Sequence, residues 1–318
     1  MVTVGNRVGG GPSTRRSTGR RRKSPLGSRW TPYFFAAPAV IYLLVFQAVP
    51  LLQEVRFSFT RTSLYSPNDN AWVGFANYIS VLASSSFHQT VQVTVVYVVV
   101  CVVGAVSVGL GSALLLNGKF RGRGIARALL AIPWAAPAVS VALIATWMLN
   151  AQYGVVNRLL AAVGLAVPGG LILESPDRAL PAILVTTIWQ LFPFCSVVLL
   201  AALQGVPEEV KEAATMDGAG ALWSFRVVTW PVIRPTVGLL VLLMTIWSIR
   251  RFELIWLMTK GGPVGTTNTL VIDLYSTGFQ LFDLGKAAAI GMVGVVVSLL
   301  VVVASRLISR RAEREVVR

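Results

Sequence analysis

Residues Glu208 to Pro235 read EEVKEAATMDGAGALWSFRVVTWPVIRP. The stretch is polar and helix-prone, contains glycine, and lies between two long apolar segments. Val206-Pro207-Glu208-Glu209 has the chemistry of a helix start: proline suits the first turn, and acids there complement the positive end of the helix dipole. Val210 to Met216 is good helix material, and the small residues Ala213 and Ala214 let another surface approach closely. Asp217-Gly218-Ala219-Gly220 then breaks the helix, because glycine takes the left-handed conformation that ends one. Leu222 to Trp230 is expected to form a second short helix, stopped by Pro231. Helix, turn and helix describe a compact knob in the aqueous phase. An amphipathic connector lying on a membrane surface fits the same residues.

The flanking chain decides what surrounds this island. Of 318 residues, 55% are hydrophobic and 13% charged. Soluble domains carry about 25% charged residues. With a mean hydropathy of +0.69, the chain is expected to be an all-α integral membrane protein. Six apolar runs approach the roughly 20 residues needed to cross a bilayer. They cover about 32–52, 89–117, 128–149, 180–203, 237–258 and 287–305. Internal Pro and Gly are tolerated in membranes, where neighbouring helices support the backbone.

The formal net charge of +15 is unevenly distributed. Arg7, Arg15, Arg16, Arg20, Arg21, Arg22, Lys23 and Arg29 precede the first run. Residues 1–29 cannot bury a core and read as a disordered basic tail. Further basic clusters are Lys119, Arg121, Arg123 and Arg127, then Lys211, Arg226 and Arg234, then Arg306, Arg310, Arg311, Arg314 and Arg318. With six spans, all of these segments fall on one face. The positive-inside bias makes that face cytoplasmic, with both termini, the island at 206–235 and the short tail at 306–318. Charge is thus mostly topology, and a nucleic-acid partner is not expected. The tail also suits anionic lipid.

Cys101 and Cys195 both sit in apolar runs and read as packing thiols. His88 stands without a ligand cluster and is expected in a loop. No Walker-type phosphate loop, nucleophile elbow or metal motif is present. A membrane enzyme would need convergent acid, base or metal groups. A secondary transporter would need a coupling-ion site.

Glu212-Ala213-Ala214, Asp217-Gly218-Ala219, Phe225 and Pro231 resemble the EAA loop of permease subunits of ATP-binding-cassette importers. Trp72-Val73-Gly74-Phe75 with Asn77-Tyr78, Ile132-Pro133-Trp134 with Pro137, and Tyr153-Gly154 with Asn157 extend the resemblance. So do Phe252-Glu253-Leu254 running to Gly261-Gly262-Pro263, and Gly285-Lys286-Ala287-Ala288-Ala289. Together they cover roughly residues 30–305. The similarity is strongest to permeases of carbohydrate (maltose-type) and glycerol-phosphate importers. It implies the type I importer permease fold, a multi-pass protein of the cytoplasmic membrane, and alternating access. The implied partners are a second permease, two nucleotide-binding ATPase subunits, an extracytoplasmic solute-binding protein and membrane lipid. This chain would bind no cofactor itself; ATP and Mg2+ would sit on the ATPases. Glu212, Ala213, Ala214, Asp217, Gly218 and Ala219 would form the coupling contact, Glu212 by a salt bridge.

The fifth run is unusual in its own right. Its uncharged part ends at Ile249, then Arg250, Arg251 and Glu253 follow. At 1.5 Å per residue, Arg251 lies about 21 Å from Val237, well inside a bilayer. Charge there costs at least about 2.5–3.5 kcal/mol unless it is paired or faces water. An ion pair with Glu253 or snorkelling to the outer surface are the structural alternatives. Counted without gaps from the EAA loop, the resemblance to the maltose-type permeases implies substrate contacts at Gln190, Leu191 and Phe194 in one span and at Met244, Trp247, Ser248 and Arg251 in the next. Trp147 and Asn150 are weaker candidates. Aromatic faces stack on sugar C–H surfaces, while Gln, Ser and Arg serve hydroxyls or an anion. Arg251 stands where those permeases carry a neutral amide, which leaves phosphorylated or acidic solutes open alongside oligosaccharides.

Overall fold

A computed structural model describes residues 31–66, 70–165 and 167–316; the basic tail expected over 1–29 lies outside them. The described residues are helical and contain no strand, only two isolated bridges, Thr60 with Trp72 and Ser63 with Asp283. Five helices are long and apolar enough to cross a membrane, and six spans result when one bent pair counts as a single span. These are α1 (Pro32–Ser58), α3 (Ser85–Asn117), the bent pair α4 (Arg123–Ala135) and α5 (Ala138–Met148), α7 (Pro176–Gln204), α9 (Ala221–Ile249) and α12 (Leu284–Val316). Shorter helices link them: α2 (Ala76–Leu82), α6 (Val155–Ala162), α8 (Glu208–Met216), α10 (Glu253–Thr259) and α11 (Leu270–Tyr275). The chain divides at residue 51 into two units, and the description below concerns the larger one, Leu52 onward.

Its core is the crossing of α3 and α7. Small residues set this contact, as expected where lipid gives helices no hydrophobic reason to associate. A side chain at Gly109 would run into Cys195 Cβ and come within 3.1 Å of the Phe192 carbonyl, and one at Gly104 would strike Ile188. Cys101 and Cys195 are both free and fully buried there, consistent with packing thiols. Tyr97, also fully buried, keeps its hydroxyl satisfied 3.0 Å from Thr187 Oγ1. A polar group left unpaired in such a core would cost about 1–3 kcal/mol.

Four expectations need correction. The third span bends by 92° where α4 meets α5. Pro137 drives its predecessor out of the helical region, and Ala136 is extended at ψ 135°. The fifth span does not reach Met258: α9 ends at Ile249 and α10 starts only at Glu253. The two arginines thus lie at a helix C-terminus, where positive charge complements the dipole. Pro231 does not stop the second island helix. Instead α9 runs without interruption from Ala221 past Pro231, with a widened π turn over Phe225–Thr229 just before the proline. His88 belongs to the first turn of α3 rather than to a loop.

The described parts of the connections are held by specific contacts. Phe59 stacks on Trp72 at 5.4 Å and meets Phe75 and Tyr78 edgewise or tilted. Asn77 Nδ2 donates to the carbonyls of Ser58 and Thr60, at 3.0 and 2.9 Å. Asn157 Nδ2 ties the carbonyls of Asn150 and Gly170 together. Past α10, Asn268 Nδ2 donates to Thr90 Oγ1 on α3 and, at 3.4 Å, to the Asp273 carboxylate. Burial pushes that carboxyl above its ordinary value, against the opposing hydrogen bonds from Asn268 and Thr90. The fold therefore favours protonated Asp273, so its contribution to stability is present at low pH and lost as pH rises through the raised value. Asp273→Asn keeps the acceptor without the charge. It is expected to match or exceed the wild-type melting temperature at neutral pH and to flatten the pH dependence above pH 4; a clear loss of stability at neutral pH contradicts this assignment.

Candidate functional site

Two groups of residues stand apart from the packing. One is the knob between α7 and α9. Glu208 and Glu209 open α8, and Lys119, from the connection after α3, meets Glu208 at 3.3 Å. The helix ends in a Schellman arrangement: Ala219 N–H donates to the Ala214 carbonyl and Gly218 N–H to that of Thr215, both at 3.0 Å. This closure places Gly218 at φ +79°. Ala214 is buried, and Ala219 half-buried, within the chain. Glu212, Ala213, Asp217 and Gly218 are exposed. Beside them lie large apolar side chains that the sequence reading passed over. Met216 is 87% exposed and Leu222 67%, with Val210 and Trp223 also open. The four together leave the knob with an unpartnered apolar surface. Alternation of polar and apolar residues in so short a helix gives a weak signal, which explains the omission.

The other group gathers where α7, α9 and the α4–α5 bend converge. Arg251 Nη2 donates to Gln190 Oε1 on α7. Gln190 Nε2 in turn donates to the carbonyl of Ala136, 3.2 Å away. That carbonyl is free because the bend removes its helical partner, so the break in one span anchors the amide of another. Gln190 is only 5% exposed. Two further polar atoms, Arg251 Nε and Ser248 Oγ, are buried without a partner among the described residues. The ion pairs among the described residues are Lys119 with Glu208 and Lys286 with Asp283, so Glu253 pairs with neither neighbouring arginine.

An aromatic row borders this polar chain. Phe194 meets Trp247 at 5.1 Å and Trp134 at 5.4 Å between ring centroids. Trp247 is 37% exposed, so part of its ring is open to a ligand. Trp134 is the member that sequence reasoning did not assign to the site; Pro133 and Pro137 around it mark the bend that swings it there. Leu191 and Met244 lie in the buried core instead, at 3% and 0% exposure. Farther along the chain, Asn150 Oδ1 accepts the backbone N–H groups of Gln152 and Tyr153 and shapes a turn. Trp147 is exposed and 6.3 Å from Tyr153. The arrangement offers one cationic donor and stacking surface, with the Gln190 amide and the Ser248 hydroxyl buried behind them at 5% and 2% exposure. It can hold a hydroxyl-rich solute, with a position for an anion.

Comparison with known proteins gives the setting. Residues 105–314 match the family model described as binding-protein-dependent transport system inner membrane component. The sulfoquinovosyl glycerol transport system permease protein SmoG of Agrobacterium fabrum is 35% identical, covering 84% of this chain and 86% of that protein. The trehalose/maltose transport system permease protein MalF of Thermococcus litoralis is 34% identical, covering 82% and 87%. Among solved structures, a chain of a bacterial ABC transporter involved in import of the acidic polysaccharide alginate superposes with a TM-score of 0.77. It is 25% identical, with 89% of this chain and 96% of that one covered.

Proposed function

Because the chain belongs to the family of binding-protein-dependent transport system inner membrane components, we propose that it is the translocating subunit of an importer for a carbohydrate. It is a multi-pass membrane permease. The observation that carries the substrate class is the meeting of Gln190 and Arg251 beside the Phe194–Trp247 ring pair. Ring faces suit the apolar C–H side of a sugar, and amide, hydroxyl and guanidinium groups suit its hydroxyls. Relatives named for sulfoquinovosyl glycerol, trehalose or maltose, and alginate support carbohydrate without selecting one.

The drive comes from outside this chain. ATP and Mg2+ belong to two ATPase subunits that seat the knob of α8, with Glu212 pairing a basic group and the Met216–Trp223 surface filling a cleft. A solute-binding protein delivers the sugar to the opposite face, and a second permease completes the pathway. Closing of the ATPase pair draws the knobs together and opens the pathway outward; release follows hydrolysis. The knob and both termini then lie on the cytoplasmic side, where basic loop residues accumulate.

A second reading narrows the sugar. Arg251 Nε is buried without a partner, and a carboxylate, sulfonate or phosphate on the solute would satisfy it. Purification of this chain from its own cells should bring down ATPase subunits and a second permease. ATP hydrolysis of that complex in nanodiscs should rise severalfold with binding protein and saccharide. Assay of a neutral disaccharide against an anionic sugar separates the two readings; failure of both classes to stimulate overturns the carbohydrate assignment.

A further inference from the structure

One large cleft plays no part in coupling or in the proposed sugar site. It lies between α9, α11, α12 and the end of α1, at the end of α9 opposite the knob, and encloses about 600 Å3. Gly291, Gly294, Val295, Ser298, Leu299 and Val302 line it from α12. Their spacing of three and four residues makes one continuous stripe along the helix. At 1.5 Å per residue the stripe runs about 17 Å, close to the depth of one leaflet of a roughly 30 Å hydrocarbon core. Leu299 is 59% exposed, so the stripe opens on the outside of the bundle, where lipid stands.

The head of the cleft is charged. Arg250, at the C-terminal end of α9, and Glu54 both line it. Neither makes an ion pair or side-chain hydrogen bond with another described residue. Glu54 is half-buried, and its carboxylate lies so close over Gly291 that any side chain there would collide with it. Glycine at 291 thus makes room for an acid against a membrane-spanning helix. An ionisable group kept in such a place calls for a partner.

A base and an acid at one end and an apolar stripe one leaflet deep have the shape and charge of a single phospholipid. We propose that this cleft binds a zwitterionic aminophospholipid of the phosphatidylethanolamine type. Arg250 takes the phosphate, Glu54 takes the ammonium, and one acyl chain lies along the α12 stripe. Phosphatidylglycerol offers the phosphate but no ammonium, so Glu54 discriminates between the two. Charge favours this occupant over an apolar helix of a partner subunit, which would leave both groups unsatisfied.

The test is native mass spectrometry of the complete importer, delipidated and then supplied with vesicles of phosphatidylethanolamine, phosphatidylglycerol or an equal mixture. The expected result is retention of one phosphatidylethanolamine per copy of this chain, at least about tenfold over phosphatidylglycerol, a preference of roughly 1.4 kcal/mol. Glu54→Gln should abolish the preference, Arg250→Ala should lower retention of both lipids, and Arg250→Lys should restore part of it. Val295→p-benzoylphenylalanine should photolabel phospholipid. Equal retention of both lipids by wild type, unaltered selectivity in Glu54→Gln, or photolabelling of the second permease instead of lipid each overturns the proposal. The mild Glu54→Gln and Arg250→Lys variants keep the test decisive if Arg250→Ala does not assemble.

Discussion

Gly218→Val should reduce solute uptake by about tenfold or more while ATP hydrolysis by the assembled importer continues. The reason is local. Gly218 sits at φ +79° in the Schellman closure of α8, and nothing lies within 4 Å of where its Cβ would be. Within the described residues of this chain a substitution therefore meets no steric wall, and its effect here is on the backbone. Left-handed geometry costs an ordinary L-residue about 1–2 kcal/mol and a β-branched one more. The chain can relieve this strain by opening the two hydrogen bonds that close α8. Opening them redirects Ala219 and Gly220 and rotates α8 against Ala221, so Glu212 and Met216 would lose the angle at which the proposed coupling presents them to the ATPase. The fold of the spans does not depend on this turn, so the complex should still assemble. Asparagine tolerates the left-handed region, and Gly218→Asn is expected to keep most of the uptake. Parallel measurement of uptake and ATPase in proteoliposomes decides the matter. Native coupling in Gly218→Val would contradict the role given to the knob, and equal loss in Gly218→Asn would show that bulk, not backbone angle, matters.

That turn is legible in the sequence because its cause is local: a single glycine after a short acidic-headed helix has few other uses. The spans are legible for a similar reason, since about 20 apolar residues have one economical fate. The features that shape the proposed sugar site are different. Residues 237–258 read as one apolar run broken by charge, and nothing between Ile249 and Glu253 is a helix breaker. The break is stabilised by Gln190, 61 residues away in sequence, which accepts from Arg251. Gln190 is held in turn by a carbonyl that the bend at Pro137 exposes. Proline announces a bend but not its 92°, which packing against α7 and α10 sets. Trp134 enters the aromatic row only through that angle. Leu191 and Met244 show the converse: helical spacing puts them beside the site residues, but the helix crossing turns them into the core.

Arg251→Ala is expected to lower uptake by roughly ten- to a hundredfold. A hydrogen bond to a charged group is worth about 1.5–3 kcal/mol, and each 1.4 kcal/mol is a factor of ten. Arg251 already donates through Nη2 to Gln190, and its Nε is buried with no acceptor among the described residues. A guanidinium is costly to hold half-buried in this state, so a ligand oxygen arriving there gains a strong partner and relieves the site. Two variants separate contact from support. Arg251→Lys keeps the charge but loses the planar fork; for an anionic saccharide it should retain more uptake than Arg251→Ala. Gln190→Ala removes the positioning partner while leaving the charge, and should weaken solute affinity without reversing a preference for anionic over neutral sugars. If Arg251 only braces α9 against α7, Arg251→Ala and Gln190→Ala should behave alike for both classes of sugar. Trp247→Ala supplies an independent arm: loss of its half-open face, 5.1 Å from Phe194, should raise the saccharide concentration needed for half-maximal stimulation severalfold, up to about tenfold, in line with the roughly 0.5–1.5 kcal/mol of a good aromatic contact. Wild-type uptake together with unchanged saccharide-stimulated ATP hydrolysis in both Arg251→Ala and Trp247→Ala would remove the sugar from this part of the chain.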